Sequence, residues 1–343
     1  MADRSAKEGL LLVNLGTPNS ASVADVRTYL REFLMDRRVI DIPYPARFLL
    51  VNGIVAPFRA KQSAEAYRSI WTREGSPLAS ISKQVGEELK ARLGIPVELA
   101  MRYQNPSIAA ALTRLANLGL NSITVLPMFP HYAASSYESA IERVKDLARK
   151  LAPQAALRIV APYFDAPGYI HALAASAAPY LAADHDHLLF SFHGLPERHL
   201  RRADPTGCHC LKRADCCTTE SPALATCYRS QCLRTVTAVA REAGLKTGRY
   251  SYAFQSRLGR DKWLEPPTVN ALGQLARNGV RKLVVMCPSF VTDCLETLEE
   301  IGIRGRKTFI EAGGESLTLA PCLNADPVWM DELAELALAK SRR

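Results

Sequence analysis

The feature that most constrains the fold is an alternation of short apolar runs with longer helix-length stretches. The eight predicted strands are residues 10–15, 97–100, 123–126, 157–160, 188–192, 249–251, 283–286 and 317–319. Most are too short and too uniformly apolar to be half-exposed, which indicates parallel strands covered on both faces. Because helix-length stretches such as 108–117, 138–151 and 235–243 lie between them, the sequence predicts a doubly wound α/β architecture.

A weak internal repeat predicts that there are two such units. The pattern of Leu112, Leu115, Ala116, Gly119, Ile123 and Val125 returns 160 positions later as Leu272, Leu275, Ala276, Gly279, Leu283 and Val285. Helix-to-strand transitions can look alike without duplication, since glycine caps helices and apolar residues fill strands. We predict an N-terminal half, 1–160, and a C-terminal half, 161–343. The second half would contain a cysteine-rich insertion at about 204–232 and a helix at 328–340, which could pack on either half.

Composition narrows the class of protein. The chain has 343 residues, 48% of them hydrophobic, which is enough for two ordinary cores. The net charge is +9, with a basic tail at 340–343, but Lys and Arg are interspersed with acids, so we expect no nucleic-acid partner. Residues 1–8 are polar and no apolar run is long enough to span a bilayer, which predicts a cytoplasmic protein.

The common active-site motifs of α/β proteins are absent from the sequence. No Gly-x-Gly-x-x-Gly follows a strand and no Gly-x-x-x-x-Gly-Lys-Ser/Thr occurs, which argues against a dehydrogenase or an NTPase. No Gly-x-Ser-x-Gly elbow is present either, which argues against a serine hydrolase.

Two residues more than a hundred positions apart carry the sharpest functional signal. His193 and Glu296 each follow a predicted strand, and ligands bind at that carboxyl edge of open α/β sheets. An imidazole and a carboxylate there suggest proton transfer, metal binding or both. On a helix, Asp293 and Glu300 would share one face with Glu296, within about 60°. The alternatives are a structural histidine and acids that stabilise a helix N-terminus.

Aromatic, hydroxyl, amide and guanidinium groups follow other strands at the same predicted edge. These residues are Arg102, Tyr103, Tyr132, Ser135, Gln255 and Trp263. Large flat side chains with a few polar groups suit a flat, apolar ligand that carries carboxylates.

Six cysteines fall within 25 residues, which indicates metal binding rather than a disulfide framework in a cytoplasmic chain. They are Cys208, Cys210, Cys216, Cys217, Cys227 and Cys232. Thiolates at this density bind an iron–sulfur cluster or zinc, and the spacing alone does not decide between them. The other three cysteines, Cys287, Cys294 and Cys322, lie in apolar surroundings and are interpreted as core thiols.

The motifs together resemble those of the ferrochelatases, which insert ferrous iron into a porphyrin at the end of haem synthesis. The resemblance covers nearly the whole chain and is carried by Leu12-Val13-Asn14-Leu15-Gly16-Thr17-Pro18, Met101-Arg102-Tyr103, Leu126-Pro127-Met128-Phe129-Pro130-His131-Tyr132, Ser191-Phe192-His193-Gly194-Leu195-Pro196, Phe254-Gln255-Ser256-Arg257 with Trp263-Leu264, and Asp293-Cys294-Leu295-Glu296-Thr297-Leu298-Glu299-Glu300. It implies two Rossmann-like halves around a central porphyrin cleft.

The resemblance also implies roles for particular residues. The family's metal-site histidine falls on His193, its essential glutamate on Glu296, and its acidic path on Asp293 and Glu300. Porphyrin contacts fall on Arg102, Tyr103, Tyr132, Ser135, Gln255 and Trp263. The substrates would be Fe²⁺ and either protoporphyrin IX or coproporphyrin III. Some members have histidine where this chain has Cys294.

The cysteine-rich segment resembles a [2Fe–2S]-bearing insertion of some bacterial members. That likeness favours Cys210, Cys217, Cys227 and Cys232 as ligands, with Cys208 and Cys216 as alternates and structural zinc as the competing metal. The rival functions are a non-catalytic porphyrin or haem carrier, a cluster-based iron sensor, and a chelatase for cobalt or another tetrapyrrole. The sequence does not decide whether the protein forms a homodimer. Aromatic and apolar residues in 40–58 suggest an active-site lip of the N-terminal half that contacts the inner membrane peripherally, and the alternative is that they form ordinary core helices.

Overall fold

The computed structural model describes residues 7–257, 259 and 261–339; the basic tail at 340–343 lies outside them. Eight strands run through the described chain: β1 Glu8–Gly16, β2 Val97–Tyr103, β3 Ser122–Pro127, β4 Ala156–Ile159, β5 His187–His193, β6 Tyr250–Gln255, β7 Lys282–Met286 and β8 Ser316–Leu319. The helices are α1 Val23–Leu34, α2 Tyr44–Leu49, α3 Ala56–Ile70, α4 Pro77–Leu93, α5 Ile108–Ala116, α6 Ser139–Leu151, α7 Pro167–Ala182, α8 Glu197–Ala203, α9 Tyr228–Glu242, α10 Thr268–Arg277, α11 Leu295–Leu298, α12 Arg306–Glu311 and α13 Pro327–Leu338. Three π-helical stretches join them, at Leu50–Val55, Ala134–Glu138 and Glu300–Gly305.

The strands form two four-stranded sheets, and all pairings within them are parallel. Their orders are β2-β1-β3-β4 and β6-β5-β7-β8, so the second sheet repeats the connectivity of the first. The prediction of an α/β fold with two small parallel sheets is therefore confirmed. The identical strand order also supports the internal duplication.

In the first sheet, alternate residues of β1 are buried against different faces. Leu11 belongs to a buried cluster with Leu112 of α5 and Val144 of α6. Leu10 and Leu12 point the other way and are also fully buried, while α4 contacts both β1 and β2. The sheet is covered on both faces, which explains why its central strand is apolar at successive positions.

The second sheet is built in the same way. Leu189 of β5 lies in a buried cluster with Leu272 of α10 and Phe309 of α12. Its neighbours Leu188 and Phe190 are fully buried as well, while α7 contacts β7 and packs against α9. Two separate cores of this kind need the high apolar content that the composition provides.

The glycine at the end of the first strand in each unit has a steric reason. A Cβ atom on Gly16, which has a φ of +113°, would lie 2.0 Å from the carbonyl oxygen of Tyr103. A Cβ atom on Gly194 would lie 2.6 Å from the carbonyl oxygen of Gln255. In both sheets the central strand ends against the backbone of the neighbouring strand, so only glycine fits without a shift.

Two sequence-based expectations differ from the structure. His193, Tyr103 and Gln255 are strand residues and do not follow the strands, because the parallel ladder continues beyond the apolar runs, for example from His193 to Gln255. The acidic stretch 292–300 is not one regular helix. Helix α11 covers a single turn, and the chain then becomes π-helical at Glu300. The prediction that Asp293, Glu296 and Glu300 share one face assumed a regular helix with about 100° per residue, so it does not hold in that form.

The described chain divides into two compact units. The first contains the described residues up to Phe129, Ala134–Ala161 and the described residues from Met330 onward, and the second contains Pro130–Ala133 and Pro162–Trp329. Most of the C-terminal helix α13 thus packs with the first unit. The boundary that the sequence suggests, between residues 160 and 161, stays a prediction.

Candidate active site

His193 is the last residue of β5 and is held on three sides. Its backbone N–H donates to Oγ of Ser289 at 3.0 Å, and its carbonyl accepts from the hydroxyl of Tyr228 at 2.8 Å. Nδ1 lies 2.7 Å from the carbonyl oxygen of Gly194. Since a carbonyl only accepts, Nδ1 carries the proton and Nε2 keeps its lone pair. Among the described residues no hydrogen-bond partner occupies Nε2, so it is available to a ligand.

Glu296 lies in the single turn of α11, in the connection that follows β7. It is half-buried, and its carboxylate accepts a hydrogen bond from the thiol of Cys294. Burial first, and then the nearby charge of Glu296, raise the pKa of Cys294 well above its usual range, so this thiol keeps its proton. Cys294 also caps the helix with Thr297, whose hydroxyl accepts from the Cys294 N–H at 3.1 Å.

Gln255 connects the strand that carries His193 to the helix that carries Glu296. It is paired with His193 in the parallel ladder. Its side chain is only 2% exposed, its Nε2 donates to the carbonyl of Glu296 at 2.7 Å, and its Oε1 accepts from Ser191 at 2.6 Å. Both ends of the amide are therefore used inside the protein, and Gln255 fixes the start of α11 relative to the sheet edge.

The other two acids of the stretch bond to protein groups. Asp293 accepts from the Thr297 hydroxyl at 2.9 Å and from Asn324 at 2.7 Å, so its carboxylate anchors the start of α11. Glu300 begins the π-helical stretch and accepts from both the N–H and the hydroxyl of Ser256, at 2.8 and 2.5 Å. Ser256 follows Gln255 and has a φ of +66°, so Glu300 stabilises the turn that ends β6.

Trp263 and Tyr132 belong to the same unit as His193. Trp263 is buried, forms a β-bridge with Pro196, and its ring would meet a Cβ on Gly194 at 3.3 Å. Tyr132 is half-buried, and its backbone N–H donates to Oε1 of Gln231 on α9 at 2.6 Å. Trp263 therefore flanks the segment that leaves β5, and Tyr132 is held against α9.

Arg102, Tyr103 and Ser135 lie in the first unit. Arg102 and Tyr103 both donate hydrogen bonds to Asp36, a residue that the sequence analysis did not identify. Asp36 accepts from the Arg102 guanidinium at 2.6 Å, from the Tyr103 hydroxyl at 3.0 Å and from Ser139 at 2.5 Å. Burial alone would raise the pKa of Asp36, but these hydrogen bonds and the charge of Arg102 outweigh it and lower the pKa. Ser135 is half-buried in the stretch Ala134–Glu138.

In the cysteine-rich segment, three thiols lie together. The sulfur of Cys227 accepts from the thiols of Cys217 and Cys210, and Cys227 is the residue before α9, so its sulfur lies near the first backbone N–H groups of that helix. The Cys217 hydrogen bond, opposed by burial and helped by the N–H groups, lowers the pKa of Cys227 to about 6. Burial, followed by the nearby Cys227, raises the pKa of Cys210 to about 12. A buried acid, Asp204, orders the approach to this group by accepting from the backbone N–H of Cys210 at 2.8 Å.

The remaining cysteines of the segment are placed differently. Cys232 is fully buried and hydrogen-bonded to the Tyr228 hydroxyl, Cys216 is buried close to Cys210 and Cys217, and Cys208 is exposed. Within residues 7–257, 259 and 261–339, no set of three or more His, Cys, Asp and Glu side chains has the arrangement of a metal site.

An exposed apolar surface lies on α2, the first π-helical stretch and α3. Its members are Tyr44, Phe48, Leu49, Ile54 and Phe58, with exposed fractions between 51% and 78%. The described helices include none whose length and hydropathy would let it cross a bilayer.

Sequence reasoning missed the residues that position the predicted ones. Asp36, Ser139, Tyr228 and Ser289 are remote in sequence from their partners and lie in no recognisable motif. Tyr228 directly follows Cys227, and this proximity to the cysteine-rich segment was the one sequence feature that could have drawn attention to it. The local sequence pattern did not indicate a role for its hydroxyl.

Comparisons with known proteins agree with the fold and the motifs. The ferrochelatase family profile matches residues 7–341. The ferrochelatase of Pseudomonas fluorescens strain Pf0-1 is 55% identical over 329 residues, which cover 95% of this chain and 96% of the relative. The ferrochelatase of Stutzerimonas stutzeri strain A1501 is 53% identical over 332 residues, or 96% and 97% of the two chains.

The solved structure of SirB from Bacillus subtilis with Fe³⁺ superposes with a TM-score of 0.54 at 13% identity and covers 97% of this chain and 96% of SirB. At that identity the likeness concerns the fold alone. The family match and the two close relatives span almost the entire chain, and on that basis this protein belongs to the ferrochelatase family.

Proposed function

We propose that His193 and Glu296 form the reacting centre of this enzyme, which inserts Fe²⁺ into a porphyrin in haem synthesis, a lyase-class reaction. The proposal rests mainly on Nε2 of His193, which lies at the carboxyl edge of the second sheet and has no hydrogen-bond partner among the residues that the structure describes. Its strand is tied through Gln255 to the helix that bears Glu296. Family membership supplies the reaction class.

The reaction defines what these groups must do. A free-base porphyrin gives up two pyrrole protons as Fe²⁺ enters, so the balanced products are the iron porphyrin and two protons. Because a planar ring holds its N–H bonds in its own plane, remote contacts should hold the bound ring buckled. The lone pair on Nε2 of His193 either accepts a pyrrole proton or binds Fe²⁺. The Glu296 carboxylate performs whichever of these two functions His193 does not. Both roles for His193 need the same bare nitrogen.

Glu300 stays part of the proposed acidic path, although it does not share a regular helical stripe with Glu296. It is half-buried at the start of the π-helical stretch, where its carboxylate accepts from Ser256. Asp293 supports the path by holding α11, since both of its oxygens accept from protein groups. Arg102, Tyr103, Tyr132, Ser135 and Trp263 remain the proposed porphyrin contacts. Gln255 is the sixth residue of the set that the sequence predicted. Because its amide bonds to the carbonyl of Glu296, we propose that it acts by positioning Glu296.

The experiment is an anaerobic incubation with Fe²⁺ and either protoporphyrin IX or coproporphyrin III, following the loss of free-base fluorescence. Turnover with one porphyrin identifies the substrate. Binding without fluorescence loss would contradict the proposal and favour a porphyrin carrier. His193→Ala and Glu296→Gln should each abolish most turnover while porphyrin still binds. The matched control is His171→Ala, because His171 lies on α7 with a side chain that is 58% exposed.

We also propose that the cysteine-rich segment holds a [2Fe–2S] cluster through Cys210, Cys217 and Cys227. The donor chemistry fits, since the three thiols already share hydrogen bonds and the first N–H groups of α9 stabilise a thiolate on Cys227. Cys232 completes the set that the sequence favoured, and Cys208 and Cys216 are its alternates. A cluster bound there would supply electron-transfer chemistry, and the residues of the chain supply its ligands and the buried surroundings.

Metal analysis of the purified protein tests the cluster. We expect visible absorption with about two irons and two sulfides per chain. Colourless protein with one zinc per chain would contradict the cluster and support a structural zinc site.

The exposed apolar surface of α2 and α3 supports a peripheral contact with an anionic lipid bilayer. Phe58 is 78% exposed and is followed by the exposed basic residues Arg59 and Lys61, the combination expected at a membrane interface. Sedimentation with vesicles of neutral or anionic phospholipid tests this. We expect retention on anionic vesicles and its loss in Phe58→Ser combined with Leu49→Ser; equal recovery of both proteins would contradict it.

A further inference from the structure

The backbone of His193 is held on both sides by side chains from other elements. Ser289, in the connection after β7, accepts from its N–H, and Tyr228, at the start of α9, donates to its carbonyl. His193 ends its strand, where a residue would otherwise fray. With the Nδ1 contact to Gly194, three hydrogen bonds fix the direction in which Nε2 points.

The Tyr228 hydroxyl is the centre of this arrangement. Tyr228 is 5% exposed, and its oxygen also lies within hydrogen-bond reach of Ser289 and Cys232. The Tyr228 hydroxyl donates to the His193 carbonyl, and its oxygen can accept from the Ser289 hydroxyl at the same time. The ring packs edge-to-face on His131, with centroids 5.8 Å apart, which leaves the hydroxyl little freedom to move.

We propose that Tyr228 is a positioning residue for His193. Its hydroxyl holds the His193 carbonyl from α9, as Ser289 holds the His193 N–H from the connection after β7.

The network connects the cysteine-rich segment to the reacting centre. Cys227 caps α9, and Tyr228 is the next residue. Rearrangement of the thiol group at Cys227 would therefore change the first turn of α9 and, through one hydroxyl, the backbone of His193. This step rests on the proposed cluster, while the positioning role of Tyr228 rests on the hydrogen bonds alone.

The first experiment compares Tyr228→Phe with Tyr137→Phe. Each variant removes a phenol that donates to a backbone carbonyl, at 2.8 Å to His193 and at 2.9 Å to Val160 respectively. We expect Tyr228→Phe to lower kcat by about ten- to a hundredfold, with the KM for porphyrin within about twofold of the wild type, because displacement of a reacting group by 1 Å can cost that much. Tyr137→Phe should keep kcat within about twofold.

Nitrogen-15 NMR of the histidines provides the readout that loss of stability alone would not change. The wild type should show His193 as the pure Nδ1–H tautomer, and Tyr228→Phe should show a mixed or broadened signal. Ser289→Ala, which releases the other side of His193, should behave like Tyr228→Phe and gives a second route if that variant folds poorly. An unchanged tautomer with wild-type kcat in both variants would overturn the proposal.

The second experiment separates the positioning role from the proposed cluster by metal content. Tyr228→Phe should retain wild-type iron and sulfide while kcat falls, whereas Cys227→Ala should lose both iron and sulfide. Loss of iron from Tyr228→Phe would overturn a role that acts through His193 alone. If the wild type contained no cluster, the proposed cluster would fail, and the effect of Tyr228→Phe on kcat would still test the positioning role.

Discussion

His131 should make this protein sensitive to mild acid. It lies in Pro130–Ala133, which follows β3 and belongs to the second unit, and it is fully buried among the rings of Phe164, Phe192 and Tyr228. Nε2 lies 2.9 Å from the hydroxyl of Thr235, and within the described chain Nδ1 has no hydrogen-bond partner. Burial lowers the pKa of His131 to about 3, from 6.5 for an exposed histidine.

The sign of the effect follows from proton binding. Between pH 6.5 and 3 the unfolded chain binds a proton at His131 that the folded chain does not, so acid favours unfolding. Stability is fully present above pH 6.5 and falls by about 1.4 kcal/mol for each pH unit below it. From about pH 7.5 to about pH 5 this one residue should remove about 2 kcal/mol from the free energy of unfolding.

Urea unfolding at those two pH values measures this change in the wild type, in His131→Gln and in Thr235→Val. His131→Gln should lose the contribution of about 2 kcal/mol, so its pH dependence should be smaller than that of the wild type by this amount. Thr235→Val removes the hydrogen bond and keeps the imidazole, so it should be weaker by about 1 kcal/mol at both pH values with the wild-type pH dependence. Equal pH dependence in His131→Gln and the wild type would refute the reasoning.

Three further predictions concern the sites described above. Asp36→Asn breaks a buried ion pair and should destabilise the chain by about 3 kcal/mol in urea, whereas Asp331→Asn, at a side chain that is 77% exposed, should change stability by less than about 1 kcal/mol; similar losses would contradict the role of burial. Gln255→Leu should lower kcat and destabilise by about 1–3 kcal/mol while porphyrin affinity is kept, and a selective loss of porphyrin affinity would instead indicate a direct contact. Gly194→Ala should lose activity because its Cβ meets a carbonyl oxygen, whereas Gly86→Ala, with open space around its Cβ in a helix, should match or exceed wild-type stability; an active Gly194→Ala would contradict the steric argument.

The sheets could be predicted from sequence because strands that are buried on both faces appear as short, continuous apolar runs. Each predicted strand corresponds to a strand of the structure, and the matching strand orders explain the repeat. The ends of β1, β2, β3, β5 and β6 were placed too early. In β5 and β6 the reason is that the polar residues His193 and Gln255 still pair in the ladder. Local apolar character ends before the hydrogen bonding does.

The supporting residues of the site could not be predicted, for a different physical reason. Tyr228 and Ser289 reach His193 from 35 and 96 positions away, and Asp36 reaches Ser139 from 103 positions away. Such contacts depend on how elements pack in three dimensions, and no periodicity along the chain encodes them. The π-helical turn after α11 was missed as well, since a pattern read at 100° per residue presumes a regular α-helix.

A crystal structure of the chain with a bound porphyrin tests the central claim most directly. If His193 and Glu296 form the reacting centre, Nε2 of His193 and the Glu296 carboxylate will each lie within about 3–4 Å of the pyrrole nitrogens or reach them through one water molecule. A porphyrin whose nitrogens are remote from both side chains would contradict the account.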